Sequence, residues 1–156
     1  MSTNDIGLEI KDSKVLAKKL NELLANYEIY YQNLRNFHWN VSGPNFFELH
    51  AKFEELYNAA NLGIDEVAER ILTLGIRPLS SFDEYIHNAE IKEAKEVGDA
   101  KKMVEIVRDN LNTLLKLERE VLDIASEQND EGTVSLMSEY ITGKEKVVWM
   151  LSAYLK

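Results

Sequence analysis

The stretch "NFHWNVSGPNFFELH", residues 36–50, joins two helical patterns and contains two of the chain's three histidines. Gly43 and Pro44 interrupt the helical pattern, because proline disfavours the α conformation of the residue before it. His38 therefore lies at the end of one predicted helix, and His50 lies near the start of the next. The two histidines are either core residues on both sides of a turn or half of a metal site.

On both sides of this turn, apolar residues recur every three or four positions, which is typical of amphipathic helices. Four long helices are predicted, over residues 13–40, about 45–74, from 100 to about 125, and from about 133 almost to the C-terminus. A short extra helix is predicted in the connection between the second and third long helices. That connection is long enough to cross a four-helix bundle, which leaves room for the second and third helices to run parallel. We therefore predict an all-α, ferritin-like four-helix bundle.

The ends of several predicted helices carry recognisable capping residues. Asp12 or Ser13 is a plausible N-cap of the first helix, and Ser80 or Ser81 of the short helix. Gly75 is the expected C′ residue of the second helix, because glycine readily adopts the left-handed conformation found there.

Composition narrows the function classes. A chain of 156 residues fits one domain, residues 1–156, and the absence of cysteine excludes disulfides, thiolate zinc sites and cysteine nucleophiles. No apolar stretch is long enough to span a membrane, and the first residues do not resemble a signal peptide, so we expect a cytoplasmic protein. The net charge of −9 favours cations over nucleic acid as partners, although it is also an ordinary means of staying soluble.

The second long helix places four candidate ligands on one side: His50, Glu54, Asp65 and Glu69. At ~1.5 Å per residue, however, His50 and Asp65 are about 22 Å apart along the helix, far beyond a shared metal ion. Two antiparallel copies of this helix could bring the histidine end of one chain to the carboxylate end of the other. A metal site would therefore require a two-fold dimer. The alternative requires no metal: the acids are solvated beside an apolar stripe, and His38 is a hydrogen-bonded core histidine.

Residues 36–57, "NFHWNVSGPNFFELHAKFEELY", and 65–85, "DEVAERILTLGIRPLSSFDEY", closely resemble the Dps family, the mini-ferritins. The C-terminal "EKVVWMLSAYL", residues 145–155, and the helical pattern extend the resemblance over nearly the whole chain. The most specific part is a His-Trp pair, a second histidine twelve residues later, and then Asp-x-x-x-Glu.

The resemblance implies a ferroxidase that oxidises Fe(II), preferably with hydrogen peroxide, and stores Fe(III) mineral in a shell of twelve subunits. It matches His38 and His50 to ligands from one subunit, and Asp65 and Glu69 to ligands from the other. Glu54 stands where many family members have aspartate. Trp39 matches a tryptophan beside the site that is thought to accept oxidising equivalents; it is equally well explained as an interface aromatic residue.

Two further expectations follow from the resemblance. Asp130 and Glu139 are candidate acids of an iron-entry pore, although Ser135 stands where many members have aspartate, and solvated acids near a helix start explain them as well. His87 matches no ligand position, so we expect it to be structural or on the surface.

DNA binding is the other activity attached to the family, usually through a lysine-rich N-terminal tail. Here no Lys or Arg precedes Lys11, so direct DNA binding is not expected. The alternatives to the iron-oxidising protein are a DNA-binding stress protein of the same fold and a non-catalytic helical bundle that mediates interactions.

Overall fold

The computed structural model describes residues 2–156, and the regular structure in that range is helical. It comprises α1 (Ile10–Asn40), α2 (Phe46–Thr73), α3 (Phe82–Asn88), α4 (Ala100–Glu127) and α5 (Glu131–Tyr154). Outside these helices, Thr3 and Glu9 form an isolated antiparallel bridge. The predicted all-α class, with four long helices and a short one between the second and third, is confirmed. No helix within residues 2–156 is long and apolar enough to cross a membrane.

The contacts between helices give their directions. Along α1, Lys19 pairs with Glu120 of α4, whereas Asn33 binds Asn110, so α1 and α4 are antiparallel. The turn at 41–45 also makes α1 antiparallel to α2. The second and third long helices, α2 and α4, therefore run parallel, and the connection containing α3 crosses the bundle. This is the one-crossover arrangement that the length of the connection allowed.

The last helix, α5, packs mainly against α4 and is also bonded to α2. Glu66 of α2 binds Tyr140 of α5, and Arg70, one turn further along α2, binds Asp130 at the start of α5. These pairs make α5 antiparallel to α2. The core between the four long helices is mostly apolar and is built chiefly from the faces that the three- and four-residue spacing identified.

Two helix ends are as predicted. At the end of α2, Gly75 has a φ of 88°; its N–H binds the carbonyl of Leu72, and the N–H of Ile76 binds that of Ile71. This is a Schellman motif, in which a left-handed glycine closes the helix. Ser81 is the N-cap of α3, and its Oγ accepts a hydrogen bond from the Glu84 N–H.

The predicted start of the first helix is wrong. α1 begins at Ile10, with Glu9 as its N-cap residue, so neither Asp12 nor Ser13 caps it. Ser13 is buried, and its Oγ accepts a hydrogen bond from the side chain of Asn4. The cause is the preceding segment: Asn4 Oδ1 accepts from two N–H groups of that segment, and Asn4 Nδ2 donates to the Leu74 carbonyl. The segment folds back on the bundle and extends the helix by three residues.

Candidate metal centre

The turn between α1 and α2 brings His38 and His50 face to face. Their rings are stacked, with centroids 3.7 Å apart and an interplanar angle of 14°. Each ring also bonds to the backbone of the other residue: His38 Nδ1 lies 2.7 Å from the His50 carbonyl oxygen, and His50 Nδ1 lies 2.7 Å from that of His38. The His38 carbonyl belongs to the last turn of α1, where carbonyls lack helical partners, so this bond also closes the helix.

These reciprocal bonds determine where each imidazole carries its hydrogen. A carbonyl oxygen can only accept, so each Nδ1 must donate, and in the neutral ring each Nε2 then has a free lone pair. Metal-binding histidines commonly use this arrangement, in which one ring nitrogen is fixed by a carbonyl and the other is left for the ion. Two parallel neutral rings that both present Nε2 can serve one metal ion or two adjacent ions.

Other side chains hold this pair in place. Phe46 stacks on His50 with centroids 5.0 Å apart, and the Tyr57 ring lies nearly perpendicular to that of His38, with centroids 5.3 Å apart. His38 itself is only 7% exposed. Glu54 Oε1 lies 3.6 Å from His38 Nε2, and its side chain is half exposed. The Glu54 carboxylate therefore stands at the open edge of the pair, on the same side as the free nitrogen.

Sequence reasoning missed Tyr57 and Phe46 as supports of the site. Tyr57 follows His50 by seven residues, or two helical turns, which was a usable signal that both lie on one face of α2. The hydrogen bonds between rings and carbonyls had no such signal, because they depend on how closely the turn brings two helix ends together.

The two predicted carboxylate ligands lie elsewhere on the chain. Asp65 and Glu69 are exposed on α2, fifteen and nineteen residues beyond His50. They lie close to each other: a side-chain hydrogen bond with Asp65, and then the charge of Asp65, raise the pKa of the Glu69 carboxyl. Within residues 2–156, no three His, Asp or Glu side chains of one chain are grouped closely enough to hold a metal ion. One subunit thus presents a pair of histidines and, separately, a pair of carboxylates.

Trp39 lies on the surface next to the histidine pair. It is 60% exposed, and the guanidinium of Arg35 lies 5.4 Å from its ring centroid and 4.7 Å from that of Tyr31. The Trp39 ring is therefore accessible to solvent on this chain.

The structure gives Asp130 a role that the sequence did not predict. Asp130 is 2% exposed and is the N-cap of α5, where it accepts hydrogen bonds from the N–H and Oγ1 of Thr133. It also forms an ion pair with Arg70, with Nη2 and Oδ1 2.7 Å apart. Both its oxygens are thus engaged within the subunit.

The remaining candidates are on the surface. Glu139 and Ser135 are exposed on α5. His87 is exposed on α3, where its Nδ1 lies 2.8 Å from the carbonyl oxygen of Asp83.

A bundle of two antiparallel helix pairs with one crossover is the architecture of ferritin-like proteins. In agreement, the family model described as "Ferritin-like domain" matches residues 17–156. The DNA protection during starvation protein of Porphyromonas gingivalis is 45% identical over 148 residues, which cover 95% of this chain and 93% of that protein.

Solved structures agree. A DPS protein from Vibrio cholerae O1, described as a member of a broad superfamily of ferritin-like diiron-carboxylate proteins, superposes with a TM-score of 0.98 at 51% identity. That comparison covers 100% of this chain and 98% of the other. A Dps protein from Bacillus brevis gives a TM-score of 0.90 at 41% identity, covering 94% and 98% of the two chains. This chain belongs to the Dps family of ferritin-like proteins, which confirms the resemblance seen in its sequence.

Proposed function

We propose that this protein oxidises Fe(II), preferably with hydrogen peroxide, and stores the Fe(III) product as a mineral inside a shell of twelve subunits. Each site would be shared by two subunits related by a two-fold axis. His38, His50 and Glu54 of one subunit would bind iron together with Asp65 and Glu69 of the other. The effect would be to remove Fe(II) and hydrogen peroxide, the two reagents that form hydroxyl radicals. We propose that this takes place in the cytoplasm.

The observation that carries this proposal is the stacked histidine pair. Both Nδ1 atoms are held by carbonyls, so both Nε2 atoms are left free, and that of His38 lies 3.6 Å from Glu54 Oε1. Imidazole and carboxylate together are ligands suited to iron. The pair nevertheless lacks enough neighbours on its own chain to complete a site, and Asp65 and Glu69 are a matching unfinished half on the same helix.

The chain's own residues would contribute in distinct ways. The backbone bonds fix both imidazoles before iron arrives, so little ordering is needed on binding. The carboxylates neutralise the charge of the incoming ions, and Glu54 at the open edge can contact a second iron or act through water. Asp65 and Glu69 repel each other when both are ionised, and a bound cation would relieve that repulsion. Trp39 would lie within the covered interface and accept oxidising equivalents there.

The assembly and the domain belong to the same proposal. We treat residues 1–156 as one domain. Glu139 remains the better candidate for an iron-entry acid, because it is exposed, whereas the carboxylate of Asp130 is engaged with Arg70 and Thr133.

Direct DNA binding is not part of the proposed function. Residues 2–9 carry no Lys or Arg and are tied to the bundle through Asn4. A segment with neither positive charge nor freedom to move gives a phosphate backbone little to bind.

One experiment combines the molecular mass with the oxidation rate. Twelve chains of 17.9 kDa would form a particle of about 215 kDa. Fe(II) oxidation by that particle should be faster with hydrogen peroxide than with O₂. It should be lost in His50→Ala and Asp65→Asn, and kept in His87→Ala and Asp123→Asn, whose side chains are exposed away from the site. A monomer or simple dimer that does not oxidise Fe(II) would refute the proposal.

A further inference from the structure

A second polar cluster lies in the middle of the bundle, away from the histidine pair. All four long helices contribute to it at one level: Tyr27 from α1, Glu66 from α2, Glu118 from α4, and Tyr140 and Lys144 from α5. Polar groups at the centre of an apolar core are costly unless they are paired, so their partners are informative.

Glu118 and Lys144 form the centre of this cluster. Glu118 is fully buried, and its Oε2 lies 2.9 Å from Lys144 Nζ and accepts a hydrogen bond of 2.7 Å from the Tyr27 hydroxyl. Lys144 also donates to the Tyr27 oxygen. The other oxygen of Glu118, Oε1, is buried and has no hydrogen-bond partner among the residues that the structure describes. One carboxylate thus depends on one ammonium group for its charge balance.

The remaining surroundings of the ammonium group also favour a cation. Lys144 Nζ lies 4.7 Å from the centroid of the Tyr27 ring and 4.8 Å from that of Tyr140, within the range of cation–π attraction. The charge of Glu66 acts on it in the same direction. Burial opposes these effects, since it lowers the pKa of Lys144 and raises that of Glu118.

A cleft between α2 and α5 leads to this cluster. It has a volume of about 380 Å³ and is lined by Lys144, Tyr27 and Tyr140, together with Glu66 and the exposed Leu62. A small ion from solvent can therefore reach the place where the ammonium group stands.

We propose that Lys144 is a built-in cation that closes a metal site at the centre of the bundle and confines iron to the sites between subunits. Diiron proteins of this fold hold their metals in the bundle core with inward carboxylates, including a Glu-x-x-His motif on each of two helices. Here the position three residues after Glu118 is Val121 instead of histidine. The carboxylate of Glu66 accepts a hydrogen bond from Tyr140, and the ammonium group of Lys144 lies beside Glu118. The bundle centre therefore does not fit a diiron site.

Replacing Lys144 would leave the buried carboxylate of Glu118 without its positive partner. A buried carboxylate that loses its ammonium partner must take up a proton or another cation. With Glu66 and the two tyrosine oxygens beside it, and with a cleft open to solvent, we expect a divalent cation to replace the ammonium group. The statement about iron rests on the proposed function, but the closed cation site does not.

The test uses Mn²⁺ and a background in which Asp65→Asn and Glu69→Gln have removed the two carboxylates that the second subunit would contribute to the shared site. In that background, Lys144→Ser should bind about one Mn²⁺ per chain, measured by calorimetry and by Mn²⁺ EPR. Its affinity should exceed that of Lys144→Ser/Glu118→Gln roughly tenfold or more. Lys146→Ser, an exposed lysine on the same helix, and Lys144→Arg should gain no site.

Mn²⁺ binding by Lys144→Ser and by the double variant shows whether Lys144 closes a cation site. If Lys144→Ser binds no Mn²⁺, or if the double variant binds it equally well, the closed site does not exist. If Lys144→Ser is unfolded without metal, the same titration is followed by circular dichroism. Refolding by Mn²⁺ that requires Glu118 supports the proposal, and failure to refold overturns it. None of these results depends on whether the shared sites oxidise Fe(II), which the mass and rate measurements test separately.

Discussion

Replacement by alanine should have opposite effects on stability at two glycines of α5. A Cβ at Gly132 would lie 2.8 Å from Nη2 and 2.9 Å from Nη1 of Arg70, whereas a Cβ at Gly143 would meet nothing within 4 Å. The guanidinium of Arg70 has little freedom to move aside, because it binds Asp130 at 2.7 Å and Thr133 at 2.9 Å. Gly132→Ala should therefore displace a buried ion pair, and Gly143→Ala should displace nothing.

The expected magnitudes follow from these contacts. Hydrogen bonds to charged groups contribute about 1.5–3 kcal/mol, and alanine recovers at most about 1 kcal/mol of helix propensity. Gly132→Ala should thus lower the free energy of unfolding by about 1–2 kcal/mol. Gly143→Ala should raise it by about 0.5–1 kcal/mol, because only the propensity gain remains.

Urea denaturation provides the assay. The midpoints of wild type and both variants are compared at one protein concentration, since assembly adds to the apparent stability. In an Arg70→Ala background, the clash is absent, so Gly132→Ala should lose its destabilising effect. If Gly132→Ala is as stable as Gly143→Ala, or destabilises equally without Arg70, the ion pair is not the rigid contact described above.

Three further predictions concern α3, the N-terminal segment and DNA. A backbone hydrogen bond from Ser80 lowers the pKa of Glu84, so stabilisation of α3 should be present above pH 4.5 and be lost as the pH falls through the lowered pKa. Amide exchange of α3 should show this step in wild type and lose it in Glu84→Gln. Asn4→Ala removes the hydrogen bonds that hold residues 2–9, so limited proteolysis there should become faster than in Asn58→Ala, which alters an exposed side chain. In a gel-shift assay without Mg²⁺, unmodified duplex DNA should not be retarded, and a clear shift would contradict the electrostatic argument.

The helices were largely predictable because their signals are local. Three- and four-residue apolar spacing identified all four long helices, and Gly75 and Ser81 cap the ends expected of them. The start of α1 was not predictable in the same way. It depends on Asn4, which reaches a carbonyl 70 residues away, at Leu74.

The candidate site was also predictable only where its signals are local. The Ser-Gly-Pro break placed His38 and His50 at the adjoining ends of two helices, and in the structure their rings are stacked. Their bonds to each other's carbonyls, and the pairing of Glu118 with Lys144 across two helices, depend on tertiary packing that no local pattern records. The sharing of ligands between subunits stays a prediction, because one chain contains two separate halves.

Each site is proposed to take ligands from two chains, and mixing two inactive variants tests this sharing of ligands. His50→Ala and Asp65→Ala, each inactive alone, are unfolded together in equal amounts and refolded, and Fe(II) oxidation with hydrogen peroxide is measured. If ligands are shared, half of the random dimers are mixed, and each mixed dimer has one intact site and one doubly damaged site. The mixture should therefore show about one quarter of the wild-type activity. A co-refolded mixture that stays as inactive as its two components, although mixed dimers have formed, would contradict the sharing of ligands.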